Sequence, residues 1–218
     1  MELPRHSDRY PALLLLIFAV IWLTLAWAPV YRQDWLLENL IVLIAVPLLA
    51  LTYRSLRFSD FAYTCLFAFF VLHEIGAHYT YSEVPWQAWL QHWTGVEYVP
   101  SGARNHYDRF VHFAYGLLVF PATWELFGAR AQPQRIWRYL MPALFLLSHA
   151  VIYELVEWAA ATAFGGDLGT AYLGTQGDEW DSQKDMALAG LGTLLALDAL
   201  PFMPRSRPCV AARPRPPS

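Results

Sequence analysis

Charge is what this sequence has least of. Only 15% of its residues are Asp, Glu, Lys or Arg, against 56% hydrophobic. A soluble domain of this length has no use for uncharged apolar runs such as 13–28 or 40–52, which approach the ~20 residues needed to cross ~30 Å of hydrocarbon. Cysteine is equally scarce. Cys65 sits inside an apolar run and Cys209 in the C-terminal tail, which argues against a disulfide framework. No Gly/Ser linker and no second composition regime interrupt the chain, so it reads as one domain. The basic residues are scattered along the flanks of apolar runs and form no stripe, which excludes a nucleic-acid partner.

What is present is an all-α pattern: a polytopic membrane helix bundle of about six transmembrane helices, at about 12–28, 36–53, 61–79, 110–127, 138–163 and 186–202. This divides the chain into an N-terminal segment 1–11, a transmembrane domain 12–202 and an Arg/Pro-rich tail 203–218, read as disordered and drawn to anionic lipid. The first run follows Arg5 and Arg9 as a signal peptide would. No small-x-small cleavage site follows and more spans do, so it is expected to be a retained helix. Alternate connecting segments collect Arg5 and Arg9, then Arg54 and Arg57, then Arg130, Arg135 and Arg138, then Arg205, Arg207, Arg213 and Arg215. These are eleven of the fifteen basic residues. Positive-inside logic therefore expects both termini to be cytoplasmic, and loops near 29–35, 80–109 and 164–185 to face outward.

Two of those loops are long. Residues 80–109 carry Tyr81, Trp86, Trp89, Trp93 and Tyr98, a density that suits the headgroup region and predicts a short interfacial helix within 84–93. Residues 164–180 hold Gly165, Gly166, Gly169, Gly174 and Gly177, expected to form a turn-rich cover over the outer mouth. In the sixth span Ala189, Gly190, Gly192, Thr193 and Ala196 predict close helix packing.

Against this apolar background four polar blocks stand out: HEIGAH at 73–78, NHYDRFVHF at 105–113, YELVEW at 153–158 and GDEWDSQKD at 177–185. Ionisable groups near hydrocarbon are costly, and in membrane helices they mark functional sites. The expected topology brings all four blocks to the outer ends of their helices. Spacing sharpens the point: Glu74 and His78, like Asp108 and His112, are four residues apart, hence about 40° apart around a helix. Glu154 and Glu157 are three apart, and Asp178, Asp181 and Asp185 follow a three-then-four pattern. Imidazole and carboxylate on rigid helices are what a zinc, manganese or iron ion needs. His78, His112, Glu74, Asp181 and Asp185 are the expected metal ligands, with Glu154, Glu157 and Asp108 as acid–base groups. HEIGAH is not the zinc-protease HExxH, because its extra residue turns His73 and His78 about 140° apart. Plainer readings stand beside these. Asp178 and Asp181 can cap a helix, Asp108 can pair with Arg104 or Arg109, His92 and His106 can be solvated, and His149 can bond between helices. Two carboxylates on one apolar helix, Glu154 and Glu157, require a cation, an arginine or shared protons.

The blocks His73-Glu74-x-Gly76-Ala77-His78-Tyr79, Asn105-x-x-Asp108-Arg109-x-x-His112-Phe113, Tyr153-Glu154-x-x-Glu157-Trp158 and Gly177-Asp178-x-x-Asp181-x-x-x-Asp185-Met186 together resemble the bacterial YjdF-type inner-membrane proteins, a domain of unknown function, across roughly 12–202. More distantly, Asp108-Arg109-x-x-His112-Phe113 is similar to the Asp-Lys-x-x-His-Phe signature of VanZ-like membrane proteins, associated with glycopeptide-antibiotic resistance; Arg109 replaces the Lys. The first resemblance implies a location in the bacterial inner membrane, and neither supplies a reaction.

The residues themselves lead to a metal-dependent membrane hydrolase or transferase acting on a lipid-linked or amphiphilic substrate at the outer leaflet. A proton- or cation-coupled transporter and a non-catalytic membrane protein are the alternatives. The oligomeric state is not legible.

Overall fold

The computed structural model describes residues 8–96, 104–166, 169, 173–204 and 209–210. Six helices are long and apolar enough to span a membrane. They are α1 (Arg9–Ala26), α2 (Arg32–Thr52), α3 (Asp60–Tyr79), α5 (Tyr107–Arg130), α6 (Trp137–Phe164) and α7 (Asp181–Ala199); α4 (Trp86–Thr94) is a short helix between α3 and α5. The chain is thus an all-α polytopic bundle. Proline lies inside α2, α5 and α6 (Pro47, Pro121 and Pro142), as membrane-spanning helices tolerate.

Four helices begin about one turn earlier than hydropathy predicts: α1, at Arg9, and three that take in an acid. α2, α5 and α7 each start about one turn before the apolar run, taking in Asp34, Asp108 and Asp181. Hydropathy stops at a polar residue, whereas the helix does not, because a carboxylate in the first turn is favoured by the partial positive charge of the helix start. The expected short helix within 84–93 is α4, closed by Gly95 in the left-handed conformation (φ 71°).

α1, α3 and α5 share an aromatic core in which Phe18, Leu66, Phe69, Phe70, Tyr107 and Val111 are buried. α5 and α7 meet at a closer crossing. A Cβ on Gly116 would fall 1.9 Å from the Ala189 carbonyl oxygen, and one on Gly192 would fall 2.1 Å from that of Phe113. The expected small-residue face of α7 is this contact, with Ala189, Gly192, Thr193 and Ala196 all buried.

At the end of the bundle away from the polar blocks, Ser59 caps α3 by accepting from Ala62 N at 3.0 Å, and Arg130 donates to Ser55. Within the tail expected to be disordered, Cys209–Val210 pairs antiparallel with Leu56–Arg57. Residues 1–7, 205–208 and 211–218 of the two expected terminal segments lie outside the described residues, as do 167–168 and 170–172 of the expected glycine-rich cover.

Candidate functional site

The starts of α2, α5 and α7 and the ends of α3 and α6 meet at one end of the bundle. Asp34, Glu38, Glu74, Glu154, Glu157, Asp181 and Asp185 are all buried there, and Asp108 is half-buried. Cations are few. Arg104 and Arg109 both bond Asp181 Oδ1, Arg109 at 3.1 Å, and Arg109 also holds Asp178 Oδ2. Arg104 further donates to the Thr175 carbonyl, so the clamp ties the segment before α7 to the start of α5. Asp178 accepts as well from Lys184 Nζ at 2.5 Å and from Trp180 N at 3.1 Å. Lys184, the Trp180 amide and Arg109 hold the Asp178 carboxyl well below the usual carboxylate range. Half-buried His106 sits beside this clamp. Burial first, then Arg109 and Arg104, pull its pKa below the ordinary value.

Both arginines pair with Asp181 and Asp178, and among the described residues no Arg or Lys lies within ion-pair distance of Asp108, Glu154, Glu157 or Asp185 at the centre of the cluster. Asp108, His112 and Asp185 each present a ligand atom there, and these atoms all lie within 4.8 Å of one another. His112 Nε2 is 3.5 Å from Asp108 Oδ1 and 3.5 Å from Glu154 Oε1. That is longer than a hydrogen bond of ordinary length. It is close to the ~3.4 Å that separates two ligand atoms set tetrahedrally at ~2.1 Å around a dication. Asp185 Oδ1 and Glu154 Oε1 are both buried without a hydrogen-bond partner.

Beside this trio lies a cavity of about 10 Å³, walled by Asp34, Glu38, Thr80, Tyr81, Asp108 and Glu157. Gly174 closes it from the segment before α7. It has room for about one water-sized sphere.

The structure therefore gathers Asp108, His112, Glu154, Glu157 and Asp185, as the sequence spacing leads one to expect. It places the other three expected site residues differently. Asp181 is committed to the arginine clamp. Glu74, 0% exposed, faces Asn39 and Trp35 of α2. His78 is not in the cluster: its Nδ1 donates to the Leu25 carbonyl at 2.7 Å, joining α3 to the end of α1. His73 is committed too. Its Nε2 lies 3.2 Å from the Glu38 carbonyl and its Nδ1 2.5 Å from the Tyr81 hydroxyl. A carbonyl only accepts, so Nε2 carries the proton and Tyr81 donates to Nδ1. Both histidines of HEIGAH are thus spent on helix packing. Gly76 belongs to the same packing, since a Cβ there would fall 2.5 Å from the Tyr81 ring. His149 bonds within its own helix, to Phe145 O at 2.9 Å, rather than between helices.

Sequence reading missed Asp34 and Glu38. They lie one turn apart on α2, with the same i, i+4 spacing as Asp108 and His112, and that was the signal available. Glu38 is fixed by the Tyr153 hydroxyl, which donates to Oε2 at 2.6 Å.

Comparison with known proteins agrees with this architecture. No solved structure matches the chain. The chain is 36% identical over 165 residues to the inner membrane protein YjdF of Escherichia coli (strain K12), covering 75% of each. The family described as predicted membrane protein (DUF2238) matches residues 10–205. Six apolar spans, the polar blocks at their ends and this match over nearly the whole chain lead to one conclusion: the protein is a multi-pass membrane protein belonging to the DUF2238 family.

Proposed function

We propose that this chain is an inner-membrane metalloprotein in which Asp108, His112 and Asp185 hold a divalent cation, zinc, manganese or iron, for hydrolysis or transfer on a lipid-linked or amphiphilic substrate. The observation that carries the reading is the spacing around His112. One nitrogen sits at ligand-to-ligand distance from two carboxylates, with buried oxygens of Asp185 and Glu154 that no protein donor satisfies. A cation answers both facts, since it fills the gap and neutralises carboxylates that could not share a low-dielectric pocket while ionised. In this reading Asp108 is a ligand rather than an acid–base group. Glu154, with Ser182 beside it, and Glu157 are the acid–base pair that takes a proton from an attacking water and returns it to the leaving group. A bound dication supplies Lewis acidity and lowers the pKa of water. The neighbouring cavity of about 10 Å³ has room for an ion or a water and excludes a headgroup. The location follows the relative's name, and the outward orientation follows the arginines at the opposite end, Arg54, Arg57, Arg130, Arg135 and Arg138.

The transporter alternative fares less well. Glu125, buried toward the other end, accepts from Ser59 N at 2.8 Å and Ser59 Oγ at 2.5 Å and so fixes the α3 cap. Asp198 and His149 lie on exposed helix surface.

The test is metal content by mass spectrometry on detergent-purified protein, prepared without chelators. The wild type should carry near-stoichiometric zinc, manganese or iron. His112→Ala and Asp185→Asn should lose it, while His78→Ala should keep it, because His78 bonds a backbone carbonyl elsewhere. A metal-free wild type overturns the reading. Full cellular function in Asp108→Asn and Glu157→Gln would instead indicate a non-catalytic role, of the kind the VanZ-like resemblance implies.

A further inference from the structure

Asp108 belongs to two neighbourhoods at once. On one side its carboxyl meets His112 and Asp185; on the other it is part of the wall of the small cavity that Asp34, Glu38 and Glu157 also line. A carboxylate placed between two sets of acidic and imidazole donors is the geometry of a bridging ligand. We propose that the cavity is the second half of a binuclear cation site, with Asp108 bridging the cation held by His112 and Asp185 to another held by Asp34 and Glu38, beside Glu157. This rests on the metal reading above and extends it.

The donors point the same way. Asp34 is only 1% exposed and lines the cavity. Its Oδ2 accepts from the Thr80 hydroxyl at 3.2 Å, while its Oδ1 is buried with no hydrogen-bond partner. In Glu38 the Tyr153 hydroxyl occupies Oε2, and no protein donor among the described residues reaches Oε1. Glu157 is 8% exposed and receives no hydrogen bond among the described residues. Its electrostatic neighbours are Asp108, Glu154, Glu38 and Asp185, all of its own sign. Carboxylate oxygens left without donors around a water-sized space are matched by a hard cation, which takes oxygen ligands.

Charge sets the number of ions. Arg104 and Arg109 are taken up by Asp181 and Asp178. One dication at His112 offsets Asp108 and Asp185 and leaves Asp34, Glu38, Glu154 and Glu157 facing one another with no positive partner in the described structure. A second dication offsets Asp34 and Glu38, and leaves Glu154 and Glu157 as the acid–base pair. Geometry adds its own support. α2 presents Asp34 and Glu38 at the same i, i+4 spacing that α5 uses for Asp108 and His112, so each helix offers both its donors on one face. Bridged dications of this kind sit about 3.5–4 Å apart, near enough for their electron spins to couple.

The experiment uses the full chain in detergent, stripped with a chelator, reloaded with Mn²⁺ alone and dialysed. Manganese is counted by mass spectrometry, and the loaded protein is examined by low-temperature electron paramagnetic resonance. The expected result is two manganese ions per chain with the many-line spectrum of a coupled pair. Asp34→Asn combined with Glu38→Gln should lower the count to one and restore the six-line spectrum of an isolated ion. One ion per wild-type chain overturns the binuclear site and leaves the single-ion reading standing; none overturns both. Two ions with uncoupled spectra, or two ions in a well-folded double variant, also overturn the proposal. The wild-type spectrum decides the question even where the variant fails to fold.

Discussion

Replacing Gly192 with alanine adds one methyl group at the point where α7 crosses α5. That methyl would lie 2.1 Å from the Phe113 carbonyl oxygen and 2.9 Å from Leu117 N. Carbon-to-oxygen contacts settle near ~3.3 Å, so the two backbones must part by roughly 1 Å. Neither obstacle is a side chain that could swing away. Overpacking of this kind costs about 1–3 kcal/mol, and for a chain of this size each kcal/mol lowers Tm by about 2–4 °C, giving a fall of about 2–12 °C. The assay is thermal unfolding of detergent-solubilised protein followed by tryptophan fluorescence, with two glycine controls. At Gly128 a Cβ meets nothing within 4 Å, and this helical position should tolerate Gly128→Ala with neutral or slightly raised stability. Gly190→Ala meets only the end of the Leu147 side chain at 3.2 Å and should fall between. Asp185 lies two turns from Gly192 on the same helix, so a parted crossing should also loosen the site and reduce manganese retention. A Gly192→Ala protein melting with the Gly128→Ala control would refute the claim that this crossing fixes the site. Gly116→Ala should behave alike, and the double variant should cost less than the two singles together, because one separation relieves both contacts.

Other consequences follow from the polar groups. Arg104→Gln leaves buried Asp181 with one guanidinium instead of two and should destabilise by about 3–5 kcal/mol at most; adding Asp181→Asn should recover part of that loss in a double-variant melting cycle. Tyr81→Phe strips the donor from His73 Nδ1 and should cost about 1–3 kcal/mol, read as a lower Tm without loss of manganese. Asp178 has a depressed pKa, so its contribution is complete above the usual carboxylate range and is lost only as pH falls through that lower value. Mild acid, pH 4–5, should therefore leave the Arg109–Asp178–Lys184 contacts intact, and the Tm difference between wild type and Asp178→Asn should be the same at pH 5 as at pH 7.

Much of the fold could be read directly. Lipid is a uniform solvent, and the span count follows from run length alone. Three of the missed boundaries share one cause: Asp34, Asp108 and Asp181 read as loop by hydropathy, yet they occupy helix starts where their charge is favoured. The site was half legible. Asp108, His112, Glu154, Glu157 and Asp185 came together because helical spacing and shared depth are local properties. HEIGAH misled because what its histidines face depends on rotation about the helix axis, and that is set by the aromatic packing of α1, α2 and α3. Asp181 was read as a ligand because a sequence cannot say which acid an arginine takes when Asp108, Asp178 and Asp181 all stand near. Asp34 and Glu38 were missed because two acids separated by apolar residues, with no histidine beside them, draw less notice than the His-bearing blocks.

Arg104 and Asp181 are 77 residues apart, and Arg109 and Asp178 are 69 apart. The ribosome makes both arginines and the whole acidic collection on α2, α3, α5 and α6 before either of their aspartates exists. Through that interval the start of α5 carries two guanidiniums with no lasting partner, and α5 shows a bare glycine face where α7 will lie. The arrival of α7 settles both at once, bringing Asp181 to the arginines, Asp185 to His112, and Gly192 against Phe113. A chain ending before residue 178 would lack both aspartates of the clamp and the helix that covers Gly116. One helix, α7, thus supplies Asp181 of the clamp, a site residue and the closest crossing of the bundle.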